Sequence, residues 1–262
     1  MGGRRDNGPV PVVDGSGVTV TFAGSGDAFG SGGRYQACIH LQGPGGVPPL
    51  LLECGATSLP ALKRCGLDPA QVGTVVVSHL HGDHFGGLPF LILDGQFSRR
   101  TRPLTVAGPA GLARRLTQAM ECMFPGSTSV ARRFPLEVTE LEAGDWVTVG
   151  GVQARAWEVE HPSGAAALAV RLRLGGKVIA YTGDTAWTDA LAEVADGADL
   201  LIAEAYHWDK AVPWHLSHAD LAAHCGQLTS ARILLTHMSV DMLAHQDEAA
   251  FATAYDGLVV KI

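Results

Sequence analysis

The sequence predicts an α/β (α+β) fold, an αββα sandwich in which two β-sheets pack together and helices cover their outer faces. Each half of the chain begins with short β-rich segments joined by tight glycine turns and continues into alternating strands and helices. No low-complexity or linker-like segment interrupts residues 18–262, so we expect them to form one domain. Residues 1–17 contain Gly, Pro and Asp and are predicted to be a flexible lead-in.

The first half supplies several predicted strands and two predicted helices. The strands cover residues 18–24, 35–42, 49–55 and 73–79. The first helix, 57–67, has Thr57 or Ser58 as its N-cap and stops at Gly66. The second helix, 109–124, carries an apolar stripe that is expected to face the core, formed by Leu112, Leu116, Ala119, Met120 and Met123.

The second half repeats this plan with a longer series of strands. Four strands joined by glycine turns are predicted at 145–150, 152–160, 166–174 and 177–184. They are followed by two helix–strand units and a closing strand, with helices at 189–197 and 218–228 and strands at 198–206, 231–237 and 256–262.

Composition and charge argue against several functional classes. Apolar residues make up 47% and charged residues 17% of the 262 residues, as in a compact globular protein. The formal net charge of −7 argues against a broad basic surface that binds nucleic acid through its phosphates. The five cysteines form no C-x-x-C pair and indicate a reduced, cytoplasmic protein. The N-terminal residues have no apolar h-region, so we expect no secretory signal. No apolar run approaches ~18 residues, so we expect no membrane span.

Three histidines and an aspartate are concentrated in VVVSHLHGDHFGGL, residues 75–88. Residues two apart on an extended strand end point the same way, so His79 and His81 are expected to direct their rings at one point. The next glycine allows a sharp turn, after which Asp83 and His84 begin a predicted helix and face a neighbouring point. Imidazole and carboxylate suit Zn²⁺, with Mn²⁺ or Fe as alternatives. The pattern therefore favours two adjacent metal positions over a solvated histidine-rich loop.

Three further candidate ligands stand where other predicted strands stop. His161 follows WEVE, Asp184 lies in VIAYTGDT, and His237 ends ILLTH. The chemistry of α/β sheets is placed at such strand ends. Each residue alone has a structural explanation as a strand-end turn residue, but together with the cluster at 79–84 they are expected to bind metal.

These motifs, in this order, resemble those of the metallo-β-lactamase superfamily. Over nearly its whole length the chain is most similar to the ribonuclease Z-like branch. The resemblance rests on four segments: TFAGSGDAFGSGGR, HLHGDHFGGLPFLI, HLSHADLA and YDGLVVKI. It implies the αββα fold and a metal-dependent hydrolase with two metal sites.

The resemblance also implies a ligand set. The first site would contain His79, His81 and His161; the second would contain Asp83, His84 and His237; Asp184 would bridge them. The implied metals are two divalent ions, with Zn²⁺ the first choice and Mn²⁺ or Fe as alternatives. Two ions about 3.5–4 Å apart could share a hydroxide and hold a phosphoryl group between them. Asp83 is thus a candidate for both ligation and catalysis.

His215 is the candidate general acid. It resembles the histidine of the ribonuclease Z-like branch that stands near the metals without binding them. A positioned imidazolium that protonates a leaving alkoxide contributes ~10²–10⁴-fold to the rate. Glu204, in the strand 198–206, is a candidate to orient or charge that ring. The alternatives are a turn residue before the next helix for His215 and a helix residue without catalytic role for His218.

One segment departs from the tRNA-maturing ribonuclease Z enzymes. Those enzymes carry a long flexible arm between the counterparts of His161 and Asp184, whereas residues 162–183 here predict two plain strands with a Gly-Gly turn. We therefore expect a small or cyclic phosphodiester as the substrate, with nucleic acid not the main partner. A second departure is Glu53, where the branch usually has Asp, and a structural role is expected for it.

Other functions stay open at the level of sequence. The same centre could hydrolyse a lactone, thioester or sulfate ester, or process the 3′ end of tRNA. A non-catalytic metal-binding accessory protein is a further alternative, against which the complete ligand set argues, and fold similarity alone does not choose among them. A homodimer is also open.

The remaining conspicuous residues are given structural roles. GSGDAFG, residues 24–30, has one residue too many for a dinucleotide fingerprint and is expected to form a tight loop at the rim of the site. Arg99, Arg100 and Arg102 are expected in a solvated loop, with contact to a substrate phosphate as the alternative. Other side chains are expected to have no catalytic role, with Cys54 and Cys225 in the core and His40, His207, His218, His224 and His245 on strands, turns or helix surfaces.

Overall fold

The structure, a computed structural model, describes residues 17–262, so nearly all of the predicted lead-in lies outside the described residues. The strands are, in chain order, β1 (Thr19–Gly24), β2 (Cys38–Gln42), β3 (Leu50–Leu52), β4 (Thr74–Val76), β5 (Leu104–Pro109), β6 (Leu136–Leu141), β7 (Val147–Val149), β8 (Val152–Val159), β9 (Ala167–Leu174), β10 (Lys177–Tyr181), β11 (Leu200–Glu204), β12 (Ile233–Thr236), β13 (Ala252–Thr253) and β14 (Leu258–Lys261). The α-helices are α1 (Ser58–Arg64), α2 (Gly82–Phe85), α3 (Leu88–Phe97), α4 (Leu112–Met123), α5 (Ala190–Ala195), α6 (His218–Ala223) and α7 (Val240–Ala244).

The described strands form two mixed sheets of seven strands each. The first sheet has the order β14–β1–β2–β3–β4–β5–β6, and the second has the order β13–β12–β11–β10–β9–β8–β7. Strands β3 to β6 are parallel, as are β10 to β13, and the other neighbours are antiparallel. Parallel neighbours end at the same edge of a sheet, which brings several strand ends together.

Three apolar layers hold these sheets and helices together. The middle layer lies between the sheets and contains inward-facing residues of both, including the fully buried Phe22, Leu41, Val170 and Tyr181. Helices α1, α3 and α4 cover the outer face of the first sheet, and α5, α6 and α7 cover that of the second. The predicted αββα sandwich is therefore confirmed.

The predicted helix at 109–124 forms, but it begins later and buries a narrower stripe. Pro109 ends β5, and α4 begins only after Gly111, whose φ of 89° a side chain would strain. Leu112, Leu116 and Met120 are buried at a spacing of four, as an amphipathic helix requires. Met123 is 45% exposed, so its prediction as a core residue was wrong.

Several elements were missing from the sequence prediction. Strand β5 ends in Gly-Pro, which resembles a turn, and β6 is an acidic, half-exposed edge strand without a continuous apolar face. Strand β13 has two residues and α7 has five, too few for a periodic pattern to emerge.

Arg100 differs from its prediction as a solvated loop residue. It is 5% exposed, and its guanidinium donates hydrogen bonds to the main-chain carbonyls of Pro69, Val72, Arg102 and Pro103. A buried guanidinium with these partners fixes the loop before β5 and does not face a substrate. Its sequence neighbours Arg99 and Arg102 are exposed, as expected.

Two other residues were also misplaced by the sequence analysis. Cys225 is exposed, whereas Cys54 is buried as expected. His218 is 7% exposed rather than on a helix surface, because its ring stacks on Trp208 at 4.1 Å and its Nε2 accepts a hydrogen bond from Ala250 N at 3.0 Å.

Among residues 17–262, no helix combines the length and apolar character needed to cross a membrane.

Candidate metal centre

The first cluster consists of His79, His81 and His161, which come from the segments after β4 and β8. One ring nitrogen of each lies within 4.8 Å of the others. His161 Nδ1 donates to the carbonyl of Trp214 at 3.0 Å, which leaves Nε2 with its lone pair directed at His81 Nδ1, 3.0 Å away. His79 Nδ1 pairs with Ser78 Oγ at 3.0 Å, so its Nε2 is the nitrogen that faces the cluster.

The second cluster consists of Asp83, His84, Asp184 and His237, all buried. Helix α2 carries the first two, and the ends of β10 and β12 supply the others. The Nε2 atoms of His84 and His237 are 3.2 Å apart, and each lies 3.1 Å from Asp83 Oδ2. Asp184 Oδ2 lies 3.3 Å from His84 Nε2 and 3.4 Å from His237 Nε2.

Asp184 is placed between the two clusters. Its Oδ2 is also 3.9 Å from His79 Nε2 of the first cluster. The turn that positions it needs Gly183, whose φ is 61° and where a Cβ would lie 2.8 Å from the carbonyl oxygen of Leu168. The geometry is that of a carboxylate with access to both groups of nitrogens.

The donor set fits divalent cations. The buried cluster atoms without a hydrogen-bond partner in the described residues include His79 Nε2 and Asp184 Oδ1. Buried polar atoms are normally satisfied, so convergent, unpaired imidazole nitrogens and carboxylate oxygens require another partner. Imidazole and carboxylate are the ligands that Zn²⁺ and related ions take.

The electrostatics of the clusters agree with this fit. Burial lowers the pKa of His79, His81 and His161, which keeps these rings in the neutral form that binds metal. In the second cluster burial also favours a lower pKa for the histidines, but the nearby carboxylates have the larger effect. They raise the pKa of His84 and raise the pKa of His237 to about 9. The second cluster thus stabilises positive charge.

A third cluster overlaps the second and contains Asp184, Glu204, His215 and His237. His215 Nδ1 lies 2.8 Å from Glu204 Oε2. Glu204, fully buried at the end of β11, also accepts hydrogen bonds from the amides of Thr185 and Leu216. Burial lowers the pKa of His215. The arrangement is a histidine whose orientation is set by a buried carboxylate beside the metal-binding clusters.

The comparison with known families now decides the identity at family level. A family model described as the beta-lactamase superfamily domain matches residues 50–238, a span that contains all three clusters. The chain belongs to the metallo-β-lactamase superfamily. The predicted resemblance to its ribonuclease Z-like branch is confirmed, and the protein is a hydrolase of this superfamily.

Relatives and solved structures agree with this assignment. Ribonuclease Z of Methanosarcina acetivorans is 26% identical over 274 residues, covering 85% of this chain and 88% of that protein. The fold matches that of the metallo-beta-lactamase fold protein YhfI of Bacillus subtilis with a TM-score of 0.74 at 22% identity, over 94% of this chain and 100% of that one. A diphosphatase of the PhnP family matches with a TM-score of 0.74 at 19% identity, over 94% of this chain and 98% of that one.

Two residues of this superfamily member contact the clusters in ways that the sequence analysis missed. Glu53 is fully buried with φ 66°, accepts a hydrogen bond from Ser78 N at 3.2 Å, and lies 3.4 Å from His84 Nδ1. Its carboxylate is therefore behind a candidate ligand, where such groups orient imidazoles. Tyr206 stacks on the ring of His215 at 4.7 Å. The sequence signal for both residues was their position at the ends of apolar strands. That signal is weak when the side chains that lie beside them in the fold are not known.

Proposed function

We propose that the protein is a binuclear, metal-dependent phosphodiesterase that acts on a small or cyclic phosphodiester. The observation that carries the proposal is the hydrogen-bonded pair of His215 and Glu204 at the edge of two adjoining clusters of metal-binding groups. A phosphodiester needs both parts, since its phosphoryl group carries negative charge and its alkoxide is a poor leaving group.

The proposed ligands follow the clusters. The first cluster would hold one ion and the second cluster the other, with Asp184 shared and Zn²⁺ the proposed metal. Bound divalent ions lower the pKa of water and neutralise charge that develops on a phosphoryl group. Glu53 would keep His84 oriented, and His161 is already oriented by its hydrogen bond to the Trp214 carbonyl.

His215 would supply the proton for the leaving oxygen. Its Nδ1 is engaged by Glu204, so Nε2 is the nitrogen free to donate. Glu204 is held by two main-chain amides, which fixes the position of the pair. A positioned acid of this kind contributes ~10²–10⁴-fold, and the contribution is largest when the leaving alkoxide is most basic.

The hairpin between the clusters supports a small substrate. Strands β9 and β10 pair directly, with Val170 opposite Tyr181 and Leu174 opposite Lys177, through a turn of Gly175 and Gly176 with φ of 57° and 77°. No arm emerges from this described segment. The match to the M. acetivorans ribonuclease Z extends over 274 residues, more than the 262 of this chain, so that relative has residues without a counterpart here.

RNA is the second candidate substrate, because the curated relative is named a ribonuclease. Its phosphodiester chemistry would use the same residues. The net charge of −7 and the short hairpin count against a long polyanion. Hydrolysis of a lactone, thioester or sulfate ester remains an alternative for the same centre, since those reactions also start from activated water.

The predicted cytoplasmic location agrees with five free cysteines.

A substrate panel on the zinc-loaded protein tests the proposal. It should contain a 2′,3′-cyclic nucleotide, bis(p-nitrophenyl) phosphate, a lactone, a thioester, a sulfate ester and a precursor tRNA, with the Asp184→Ala protein as the inactive control. We expect the highest kcat/KM on a small phosphodiester. Efficient 3′ trimming of the precursor tRNA at physiological salt would favour RNA, and faster turnover of a lactone, thioester or sulfate ester would contradict phosphodiesterase activity.

A further inference from the structure

A cavity of about 320 Å³ opens beside His215 and is walled by two tryptophans, Trp187 and Trp214. Val212 and Pro213 add apolar surface to it. Its volume falls at the lower end of the ~300–1,000 Å³ that small-molecule sites occupy. His215 itself forms part of the lining, so a group that fills the cavity lies next to the proposed proton donor.

Trp214 is held in a backbone conformation that is unfavourable for its type. The turn from Val212 to His215 closes through a hydrogen bond from His215 N to the Val212 carbonyl at 3.2 Å. Pro213 takes the second position and Trp214 the third, with φ of 64°. This is the pattern of a type II turn, whose third position favours glycine because positive φ brings a side chain into steric conflict.

The strain on Trp214 is not offset by burial of its side chain, which is 54% exposed. Its carbonyl accepts the hydrogen bond from His161 Nδ1, which ties the turn to the first cluster. Trp187 is fixed in another way, by stacking on His224 at 3.8 Å and 10°. When a folded protein keeps a strained backbone conformation and no side-chain packing compensates for it, the strain points to a functional role. The Trp187 indole is thus held by stacking, and the Trp214 indole extends from a fixed main-chain turn beside the site.

The charge of the cavity limits what it would accept. Within residues 17–262, its ionisable lining groups are His215 and Asp220, and no Lys or Arg lines it. The carboxylate of Asp220 accepts hydrogen bonds from the amide and hydroxyl of Ser217, at 2.9 and 2.6 Å. Such a lining suits a flat, uncharged ring and does not suit a chain of phosphates.

The geometry points to a specificity site in which Trp187 and Trp214 contact a flat, uncharged ring carried by the leaving alcohol of the phosphodiester. The inference rests on the proposed function, because it takes His215 to mark the leaving-group side. In the reaction, water oxygen bonds to phosphorus and the bond from phosphorus to the ring-bearing oxygen breaks. One proton passes through His215 to the alcohol, the other stays with the phosphate, and the products are a phosphomonoester and the alcohol.

Two matched substrates test this site. One methyl phosphodiester carries 2-naphthylmethanol and the other carries ethanol as the leaving alcohol, and release is followed by chromatography. Stacking on an aromatic side chain is worth about tenfold in affinity, so the zinc-loaded wild type should prefer the naphthylmethyl ester about tenfold in kcat/KM. The ratio should fall towards one in Trp214→Gly and Trp187→Ala. Phe97→Ala, which removes a ring that is 84% exposed on α3, should keep the wild-type ratio.

Two measurements are independent of turnover. Trp214→Gly should melt no lower than wild type, because glycine relieves the positive φ, whereas a structural role would lower the melting temperature. In NMR spectra, 2-naphthylmethanol should shift the indole signals of Trp187 and Trp214 among the five tryptophans. Equal cleavage of both esters by wild type, or no shift at these two indoles, would overturn the ring site while leaving the phosphodiesterase proposal intact. If the indole signals of Trp187 and Trp214 shift but neither ester is cleaved, the result would support the ring site and overturn the proposed function.

Discussion

The side chains of Glu204 and His215 meet at 2.8 Å, with Glu204 at the end of β11 and His215 eleven residues further on, in the loop before α6. The carboxylate is fully buried and the imidazole borders the cavity beside the clusters. A buried carboxylate that holds one ring nitrogen leaves the other to act on a ligand. The pair is therefore the basis for the proposed proton donor.

Replacement of His215 should affect substrates according to their leaving group. We expect His215→Ala to lower kcat for an alkyl phosphodiester by ~10²–10³-fold, with both metals retained. The loss should be much smaller for bis(p-nitrophenyl) phosphate, whose leaving group barely needs a proton. Steady-state kinetics on both substrates measures the loss of kcat, and elemental analysis measures the metal content. Equal losses on the two substrates, or loss of metal, would show that the residue is structural or a ligand.

Glu204→Gln removes the negative charge and one of two acceptor oxygens, because Oε1 accepts from the amides of Thr185 and Leu216 while Oε2 pairs with His215. A glutamine that keeps its oxygen on the two amides turns its NH2 group towards His215 Nδ1 and no longer stabilises an imidazolium, so the alkyl ester should lose activity by about tenfold, less than with His215→Ala. Because the proton donor must be protonated, the alkaline limb of the kcat profile should lie at lower pH in the variant than in wild type. A variant that keeps the wild-type rate and pH profile would remove Glu204 from the proposed mechanism.

Metal content should report the shared position of Asp184. Protein purified without chelator should contain about two equivalents of zinc or a related ion, as measured by elemental analysis, if each cluster holds one. Asp184→Ala should weaken both sites because its Oδ2 lies 3.3 Å from His84 Nε2 and 3.9 Å from His79 Nε2. His79→Ala should mainly weaken one. Retention of both ions at full affinity in Asp184→Ala would contradict the shared role.

The buried Arg100 should matter for stability and not for substrate binding. Arg100→Met removes hydrogen bonds to several buried carbonyls and should lower the free energy of unfolding by about 3 kcal/mol. Arg102→Ala, at an exposed neighbour, should change it by less than about 0.5 kcal/mol. Denaturant unfolding measures both. A raised KM in Arg100→Met with unchanged stability would instead favour contact with a substrate phosphate.

His40 should make the folded protein less stable in acid. Burial lowers its pKa to about 4, whereas the unfolded chain takes up the proton at about 6.5. Its contribution is complete above pH about 6.5 and is lost as the pH falls towards about 4, because the unfolded state then binds more protons. Relative to the non-titrating His40→Gln, wild type should lose about 2 kcal/mol between pH 7 and 4.5. A difference that stays constant over this range would refute the prediction.

Much of the site can be predicted from the sequence because its signals are local. The residues from His79 to His84 are close in the chain, and their types and spacing alone indicate two facing groups of metal-binding atoms. His161, Asp184 and His237 were found because each follows an apolar strand, and α/β sheets place chemistry at strand ends. The two sheets and their covering helices follow from the same alternation of apolar segments.

Only the tertiary structure decided which side chains became neighbours. Glu204 and His215 are separated by a loop whose path no periodic pattern encodes, and Glu53 reaches His84 from another strand through a backbone with φ 66°. Arg100 is buried because the carbonyls of a distant turn surround it, which its charge alone would not suggest. Residue type and spacing determine what a segment can do, whereas strand order and loop path, set by packing between residues far apart in sequence, determine which segments meet.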